Sequence, residues 1–263
     1  MSALASLRRV LAGYDTLAVA VSGGIDSMVL AHVAHEVLGS RARMAHAISP
    51  AVPAAATARV KRHAARGGWR LDLVDAGEFG DPRYRENPVD RCYFCKLNLY
   101  GTVAALTGGT VASGTNVDDL GDFRPGLKAA AEWNVVHPYV DAGLGKEDIY
   151  ALARDLGLDD LAELPAQPCL ASRVETGIAV EAEDLAFIET VEAALARRLG
   201  VGAVLRCRIT HQGVILELAP DVSGPAQADA IADAADLSAA TGRTFLGTRT
   251  YRRGAAFLQE AVR

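Results

Sequence analysis

Residues 17–38 read LAVAVSGGIDSMVLAHVAHEVL, an apolar run that is interrupted by Ser-Gly-Gly-Ile-Asp-Ser and resumes at helical spacing. This pattern predicts a buried strand, a turn and a helix. Gly23 and Gly24 lack a Cβ, so the backbone of the turn can adopt positive φ and bring several N–H groups close to an anion. The hydroxyls of Ser22 and Ser27 add donors, and the N-terminus of the following helix favours phosphate. The stretch therefore predicts a phosphate-binding turn.

The turn differs from two common phosphate-binding motifs. It has neither the Gly-Lys-Ser/Thr ending of a Walker A loop nor the G-x-G-x-x-G pattern of a dinucleotide site. Its sequence resembles the PP-loop (SGGxDS) of the ATP pyrophosphatase superfamily, which binds the pyrophosphate of ATP and activates a substrate as its adenylate. A plain glycine-rich turn is the alternative, and the strand before it and the helix after it favour the phosphate-binding interpretation.

Composition and charge narrow the class of protein. The chain has 263 residues, half of them apolar, which is enough for one large or two small domains with a real core. The net charge of −5 argues against a protein that mainly grips nucleic acid. No apolar run reaches membrane-spanning length, and the N-terminal segment does not resemble a signal peptide. We expect a cytoplasmic protein with no membrane and no nucleic-acid partner.

Strand-like and helical runs alternate in the first two thirds of the chain, which is typical of an α/β protein with a doubly wound parallel sheet. Beyond residue 180 the pattern changes to a helix, a hairpin, a helix and a strand, which predicts a smaller α+β module. We therefore expect domains at 1–178 and 179–263, the second for substrate binding or oligomerisation. The predicted strands of the first domain are at 17–21, 43–48, 69–76 and 110–114, with helices at 54–66, 96–106 and 146–156.

Ligand sites of parallel sheets lie beyond the carboxyl ends of the strands. We therefore expect one crevice that binds ATP. It should be formed by residues 22–27, by Ser49 and by residues 114–118, the first of which is Gly114. Asp26 would repel phosphate unless a magnesium ion lay between them, so it is a candidate Mg²⁺ ligand; the alternative is a cap of the following helix.

The loop GTNVDDLGDFRPGLKAA contains further candidates. Asp118, Asp119 and Asp122 could bind magnesium or recognise substrate, although acids in turn-rich loops more often bond to their own backbone. Arg124 in this loop and Arg173 further along are candidates for binding the phosphate of an adenylate.

The cysteines form the second chemical cluster of the sequence. Cys92 and Cys95 form a C-x-x-C pair between basic residues, and Cys169 lies far along the chain in QPCLASR. The pair could hold a metal, and a structural zinc, a thioredoxin-like dithiol and two packed thiols are the alternatives. Three thiolates on a [4Fe-4S] cluster would leave one iron open for a further ligand such as sulfide. Cys207 lies in an apolar strand pattern and is expected in the core.

Six motifs follow one another along the chain: the PP-loop, NPVDRCYFCK, GTNVDDLGDFRPGLKAA, ALARDLGL, PCLASRVETG and YRRG. Together they resemble the LarE family of sulfur transferases, which help build the nickel-pincer cofactor of lactate racemase. The resemblance implies an enzyme that uses ATP to adenylate a carboxylate of pyridinium-3,5-biscarboxylic acid mononucleotide, releases pyrophosphate and replaces the activated oxygen with sulfur. It also implies a homo-oligomer, a hexamer in the family, and leaves the sulfur donor unidentified.

Two forms of this family differ in their sulfur source. In one, the cysteine of PCLASR gives up its sulfur and becomes dehydroalanine; in the other, a C-x-x-C pair is also present and a [4Fe-4S] cluster carries the sulfide. Cys169 occupies the PCLASR position here, and Cys92 and Cys95 supply the pair. The resemblance therefore implies the cluster-dependent form, with these three cysteines as metal ligands and, with Asp26, as the catalytic residues.

Three arginines match family residues that face the phosphate of the substrate. They are Arg206 and Arg208 in LRCRITHQG and Arg252 in YRRG. Guanidinium groups suit phosphate oxygens, but alternating arginines are also typical of a solvated strand face. The segment LAELPAQ before PCLASR departs from the family pattern, in which an acidic residue or Trp precedes Lys-Pro, so no role of that lysine carries over.

Two other functions compete with this prediction. A PP-loop enzyme of tRNA thiolation would use the same cysteines and ATP, but it should show a basic surface or an RNA-binding module, which the acidic chain does not show. A non-catalytic iron–sulfur or zinc carrier would not need the intact Ser-Gly-Gly-Ile-Asp-Ser turn.

Overall fold

A computed structural model of the chain describes residues 2–121, 124–165, 167–200 and 204–251. The chain divides into two compact units, one formed by Met1–Asp81 and Asp90–Gln167 and the other by Pro82–Val89 and Pro168–Arg263. The division into functional domains at 1–178 and 179–263 stays a prediction. None of the described helices combines the length and the apolar character that crossing a membrane requires.

The elements are named in chain order. The strands are β1 (Leu17–Ala20), β2 (Ala42–Ala47), β3 (Arg70–Val74), β4 (Val111–Ala112), β5 (Leu205–Thr210), β6 (Gly213–Leu218) and β7 (Phe245–Thr250). The helices are α1 (Ala3–Ala12), α2 (Ile25–Leu38), α3 (Ala54–Gly67), α4 (Pro82–Arg85), α5 (Arg91–Thr107), α6 (Pro125–Glu132), α7 (Pro138–Asp141), α8 (Lys146–Asp155), α9 (Asp159–Ala162), α10 (Ala182–Leu199) and α11 (Gly224–Ala240).

The first unit has a four-stranded parallel sheet in the order β3-β2-β1-β4. All four residues of β1 are buried, because alternate side chains of a central strand enter opposite faces of the sheet. Leu17 and Val19 join an apolar cluster with α1, α2 and α8, whereas Ala18 and Ala20 join one with α5 and α6. Helices thus cover both faces, and the predicted α/β class with a parallel sheet is confirmed.

Two elements of the first unit differ from their predicted bounds. Helix α5 begins at Arg91 and not at residue 96, because no glycine or proline stands in the way, and the helix therefore contains both cysteines of the pair. Strand β4 has two residues and not five, because Ser113 leaves the ladder: its hydroxyl lies 2.9 Å from Thr115 Oγ1 and from His137 Nδ1. The chain then turns toward α2.

The second unit contains a three-stranded sheet in the order β5-β6-β7. Strands β5 and β6 form an antiparallel hairpin, and β7 returns parallel to β6 after α11. This is the predicted order of helix, hairpin, helix and strand.

A buried ion pair joins three parts of the second unit. The guanidinium of Arg173 pairs with the carboxylate of Glu192 on α10 through two bonds of 3.0 and 2.9 Å, and its side chain is only 5% exposed. It also donates to the carbonyls of Pro168 and Cys169. Glu192 accepts a further bond from the N–H of Cys207 in β5. The pair therefore ties α10 to β5 and to the turn that carries Cys169.

Replacing Glu192 with Ala should lower the free energy of unfolding by about 3–5 kcal/mol, because Arg173 would stay buried without its carboxylate. Urea denaturation measures the change. The control is Glu183→Ala, an exposed residue in the first turn of the same helix, for which we expect less than about 1 kcal/mol. Similar small losses in both variants would contradict the structural role of the pair.

Candidate functional site

The turn after β1 needs glycine at one of its two glycine positions. Gly23 has φ +86°, and a Cβ on it would lie 3.0 Å from the Cβ and the carbonyl oxygen of Ala56 in α3. Gly24 has an ordinary φ of −78° and is the N-cap of α2. Both glycines permit a positive φ, but only Gly23 adopts one. Gly24 is the residue at which the turn meets the N-terminus of α2.

The two serines close this turn by hydrogen bonds within it. The N–H of Ser22 donates to Ser27 Oγ at 3.0 Å, and the Ser27 hydroxyl donates to the carbonyl of Gly24 at 3.1 Å. The N–H of Gly24 lies 3.3 Å from Ser22 Oγ, which accepts from it. The turn is thus preorganised by its own side chains, as an anion site at a helix N-terminus requires.

The loop after β4 approaches this turn closely. A Cβ on Gly114 would lie 2.8 Å from the backbone N of Ser27 and 3.0 Å from the carbonyl carbon of Asp26, so glycine is needed here for space. The amide of Asn116 donates to Asp26 Oδ1 at 3.4 Å. The predicted meeting of residues 22–27 with residues 114–118 is therefore present in the structure.

Asp26 lies in the first turn of α2 and forms an ion pair with Lys146. Lys146 Nζ lies 2.7 Å from Asp26 Oδ1 and 2.6 Å from Oδ2. The backbone N–H of Lys146, at the start of α8, donates to Asp118 Oδ2 at 2.7 Å. Burial, followed by the charge of Asp26, raises the pKa of Tyr139 well above its usual value, and its hydroxyl donates to the Asp26 carbonyl at 2.9 Å. A lysine thus stands beside the predicted anion site.

Sequence reasoning did not assign a role to Lys146 or Tyr139. Each lies more than 100 residues from the turn, and the only signal was the Gly-Lys step at the start of a predicted helix. In the described parts of the chain, no three or more His, Cys, Asp and Glu side chains are grouped so as to bind a metal ion. The role of Asp26 toward magnesium therefore stays a prediction.

The acidic loop mainly bonds to itself. Asp119 accepts from the N–H of Asn116 at 3.1 Å and pairs with Arg124 at 2.6 Å. The N–H of Asp118 donates to the side-chain oxygen of Asn116 at 3.0 Å, a turn contact. Asp119 therefore matches the alternative in which an acid bonds to the backbone of its own loop, whereas the Asp118 carboxylate accepts from the N–H of Lys146. Asp122 lies outside the described residues.

Ser49 follows β2, at the same carboxyl edge of the sheet as the turn. Its hydroxyl accepts from the N–H of Ala51 at 3.2 Å, and its carbonyl accepts from the N–H of Val52 at 3.0 Å. Its predicted part in binding ATP stays a prediction.

All four cysteines carry thiols. Cys92 and Cys95 are half-buried and lie three residues apart in α5 of the first unit, so their side chains share one face of that helix. Cys169, in the second unit, is half-buried and precedes the 3-10 turn Leu170–Arg173. Cys207 is buried in β5, and burial, reinforced by Glu192, raises the pKa of its thiol to about 12, as expected of a core cysteine.

Arg206 and Arg208 extend from the same face of β5 in the second unit, with Glu217 of β6 opposite Arg206. Arg208 Nε lies 2.6 Å from a carboxylate oxygen of Glu217, which is 1% exposed, and its Nη1 donates to the carbonyl of Ser172 at 2.8 Å. Arg249 of β7 pairs with the other Glu217 oxygen at 2.8 Å. Arg208 is thus held by a buried carboxylate.

Arg206 has a different environment on this face. Its guanidinium lies over the ring of Tyr251, 5.5 Å from the centroid. Burial lowers the pKa of Arg206, and the positive charge of Arg173 lowers it further. Arg208 and Arg249 share the single carboxylate of Glu217, so this face of the sheet carries more positive than negative charge. Arg252 lies outside the described residues.

Arg173, predicted to bind an adenylate phosphate, is engaged by Glu192 as described above. It donates to the carbonyls of Pro168 and Cys169 and so stabilises the backbone at Cys169. Its role toward a nucleotide stays a prediction.

Comparisons with known proteins give three relatives. The chain is 36% identical to the Uncharacterized protein slr1717 of Synechocystis sp. over 84% of this chain and 82% of that protein. It is 28% identical to the Uncharacterized protein MJ0830 of Methanocaldococcus jannaschii over 78% of each. It is 29% identical to the Pyridinium-3,5-bisthiocarboxylic acid mononucleotide synthase of Lactiplantibacillus plantarum over 81% of this chain and 78% of the synthase. No protein-family model matches the chain.

The similarity to these relatives extends over most of each chain and is not confined to the turn after β1. The chain therefore belongs to the family that includes slr1717 of Synechocystis, and its likeness to the Lactiplantibacillus plantarum synthase supports the LarE family that its motifs resemble.

Proposed function

We propose that the chain is an ATP-dependent sulfur transferase that converts a carboxylate of pyridinium-3,5-biscarboxylic acid mononucleotide into a thiocarboxylate. The observation that carries this proposal is the preorganised turn at the N-terminus of α2, which Gly114 approaches closely and beside which Lys146 lies. The likeness to a synthase of the bisthiocarboxylic acid mononucleotide supports the choice of substrate.

In the first step, a substrate carboxylate oxygen attacks the α-phosphorus of ATP, and the bond from that phosphorus to pyrophosphate breaks. The leaving group gains negative charge, which the N–H groups of the turn, the helix N-terminus and a nearby cation stabilise. Lys146 is suited to this role, because its side chain is about one third exposed and its partner Asp26 lies within the turn. Magnesium, which Asp26 would hold, would supply further positive charge to pyrophosphate.

In the second step, sulfide attacks the carbonyl carbon of the adenylate, and AMP leaves with the oxygen. We propose that Cys92, Cys95 and Cys169 hold a [4Fe-4S] cluster, which would supply the sulfide. The donor types fit this group, since soft thiolates are the ordinary ligands of iron–sulfur clusters and three of them leave an open position. Arg173 donates to the carbonyl of Cys169 and so fixes the backbone of that cysteine.

The phosphate of the mononucleotide is assigned to the arginine face of the second unit. Arg206 and Arg208, which lie on the same face of β5, are the two described candidates for this role. Guanidinium groups match phosphate oxygens in geometry and charge. The family resemblance supports a homo-oligomer, and the net charge of −5 supports a protein without a nucleic-acid partner.

Replacing Gly23 with Ala should reduce substrate-dependent pyrophosphate release at least ~10-fold, because the new Cβ meets Ala56 and the positive φ becomes strained. The control is Gly39→Ala at the other end of α2, which also has positive φ but has open space around it. That variant should lose stability and keep its ATP affinity. Equal pyrophosphate release from the Gly23 variant and the wild type would remove the turn from the mechanism.

Replacing Arg206 with Ala removes a charge-assisted contact worth ~1.5–3 kcal/mol, so mononucleotide binding should weaken about tenfold or more. ATP affinity should hardly change. Isothermal titration of each ligand gives both values, and Arg198→Ala, an exposed residue that pairs with Asp229 and Asp233, is the control. If ATP binding and substrate binding fell equally, the phosphate assignment would be wrong.

The cysteine variants separate the two sulfur sources. If the cluster proposal holds, anaerobically reconstituted Cys92→Ala, Cys95→Ala and Cys169→Ala should each lose iron and visible absorption, whereas Cys207→Ala should keep both. Adenylation should survive, since no thiolate takes part in it. Protein that binds no iron and loses the elements of hydrogen sulfide at Cys169 after one turnover would establish the sacrificial form instead.

A further inference from the structure

Arg59 of α3 is a buried arginine that reaches the phosphate-binding turn. The residue is only 7% exposed to solvent. Nη1 donates to the carbonyl oxygen of Gly23 at 2.7 Å and lies 3.2 Å from the side-chain oxygen of Gln167. Both partners are neutral oxygens, so neither balances the charge of the guanidinium.

No carboxylate of the described residues forms an ion pair with Arg59. The acid whose charge acts on it most is Asp160, but that carboxylate lies 3.0 Å from His63 and 3.6 Å from Arg62. Burial lowers the pKa of Arg59, and the positive charge of Arg62 lowers it further. The guanidinium is therefore a buried cation whose charge the described part of the chain leaves largely uncompensated.

Arg173, another buried arginine, is held differently. It is 4% exposed, and Glu192 accepts two bonds from it. A buried charge is ordinarily paired in this way, because desolvation without a counter-charge is unfavourable. The contrast suggests that the counter-charge of Arg59 is a ligand.

The bond to Gly23 also sets the orientation of the turn. In a trans peptide, the carbonyl of one residue and the N–H of the next point in opposite directions. Because Arg59 holds the Gly23 carbonyl toward α3, the N–H of Gly24 is directed to the opposite side, where it lies 3.3 Å from Ser22 Oγ at the start of α2. Arg59 thus orients a donor at the helix N-terminus.

We propose that Arg59 is a positioning residue of the phosphate-binding turn, which holds the Gly23 carbonyl and whose buried positive charge is balanced by bound pyrophosphate. The proposal rests on the proposed function, in which this turn binds the pyrophosphate of ATP. It adds a residue from α3 and a source of affinity that the turn itself does not contain.

The test uses the full chain and inorganic pyrophosphate as the probe, with three variants. Arg59→Met removes the charge and the donors but keeps an unbranched chain, Arg59→Lys keeps the charge, and Arg62→Met removes an exposed arginine of the same helix. Isothermal titration measures pyrophosphate affinity, and thermal unfolding without ligand measures stability.

We expect Arg59→Met to bind pyrophosphate about tenfold or more weakly than the wild type, with a ligand-free Tm that is unchanged or higher, because an uncompensated buried charge is gone. Arg59→Lys should bind with intermediate affinity, and Arg62→Met should match the wild type. Wild-type affinity in Arg59→Met, or a fall in ligand-free Tm that Arg59→Lys does not restore, would overturn the proposal while leaving the proposed function intact. Wild-type protein that binds neither pyrophosphate nor ATP would overturn both.

Discussion

The close contact between two backbones at the carboxyl end of β1 is the constraint on which the candidate site depends. Gly114 lies so near the first turn of α2 that a Cβ would meet the backbone of Asp26 and Ser27, and Gly23 lies equally near Ala56 of α3. Three segments from distant parts of the chain can therefore surround one helix N-terminus. The unpaired N–H groups and the dipole of α2 make that point attractive to phosphate.

Charge is distributed in two ways around the candidate sites. Arg173 is held by two bonds to Glu192 and Arg208 by the buried carboxylate of Glu217, which makes both arginines parts of the framework of the second unit. Lys146 lies beside the turn and pairs with the partly exposed carboxylate of Asp26. Arg59 donates only to the neutral oxygens of Gly23 and Gln167. Exposed or uncompensated cations can respond to an anionic ligand, whereas a cation in a buried bidentate pair responds at a high cost.

Predictions from the sequence succeeded where the signal was local. The strand, turn and helix around Ser-Gly-Gly-Ile-Asp-Ser, the parallel sheet and the hairpin module follow from apolar periodicity and glycine positions. The start of α5 was placed too late, at residue 96, although nothing in Arg91–Thr107 stops a helix before its end. Strand β4 was placed too long, because the bonds of Ser113 to Thr115 and His137 leave no trace in periodicity.

The sequence by itself determined the fold class and the strand, turn and helix around Ser-Gly-Gly-Ile-Asp-Ser, and it singled out the cysteines and arginines that chemistry would select. These depend on residue type and short-range spacing, which a sequence displays directly. Only the tertiary structure showed three contacts of the turn: Lys146 pairs with Asp26, the Tyr139 hydroxyl donates to the Asp26 carbonyl, and Arg59 donates to the Gly23 carbonyl. It also paired Arg208 with Glu217. Such contacts join residues from different elements, and whether a charge is compensated depends on which elements the packing of the apolar core brings together.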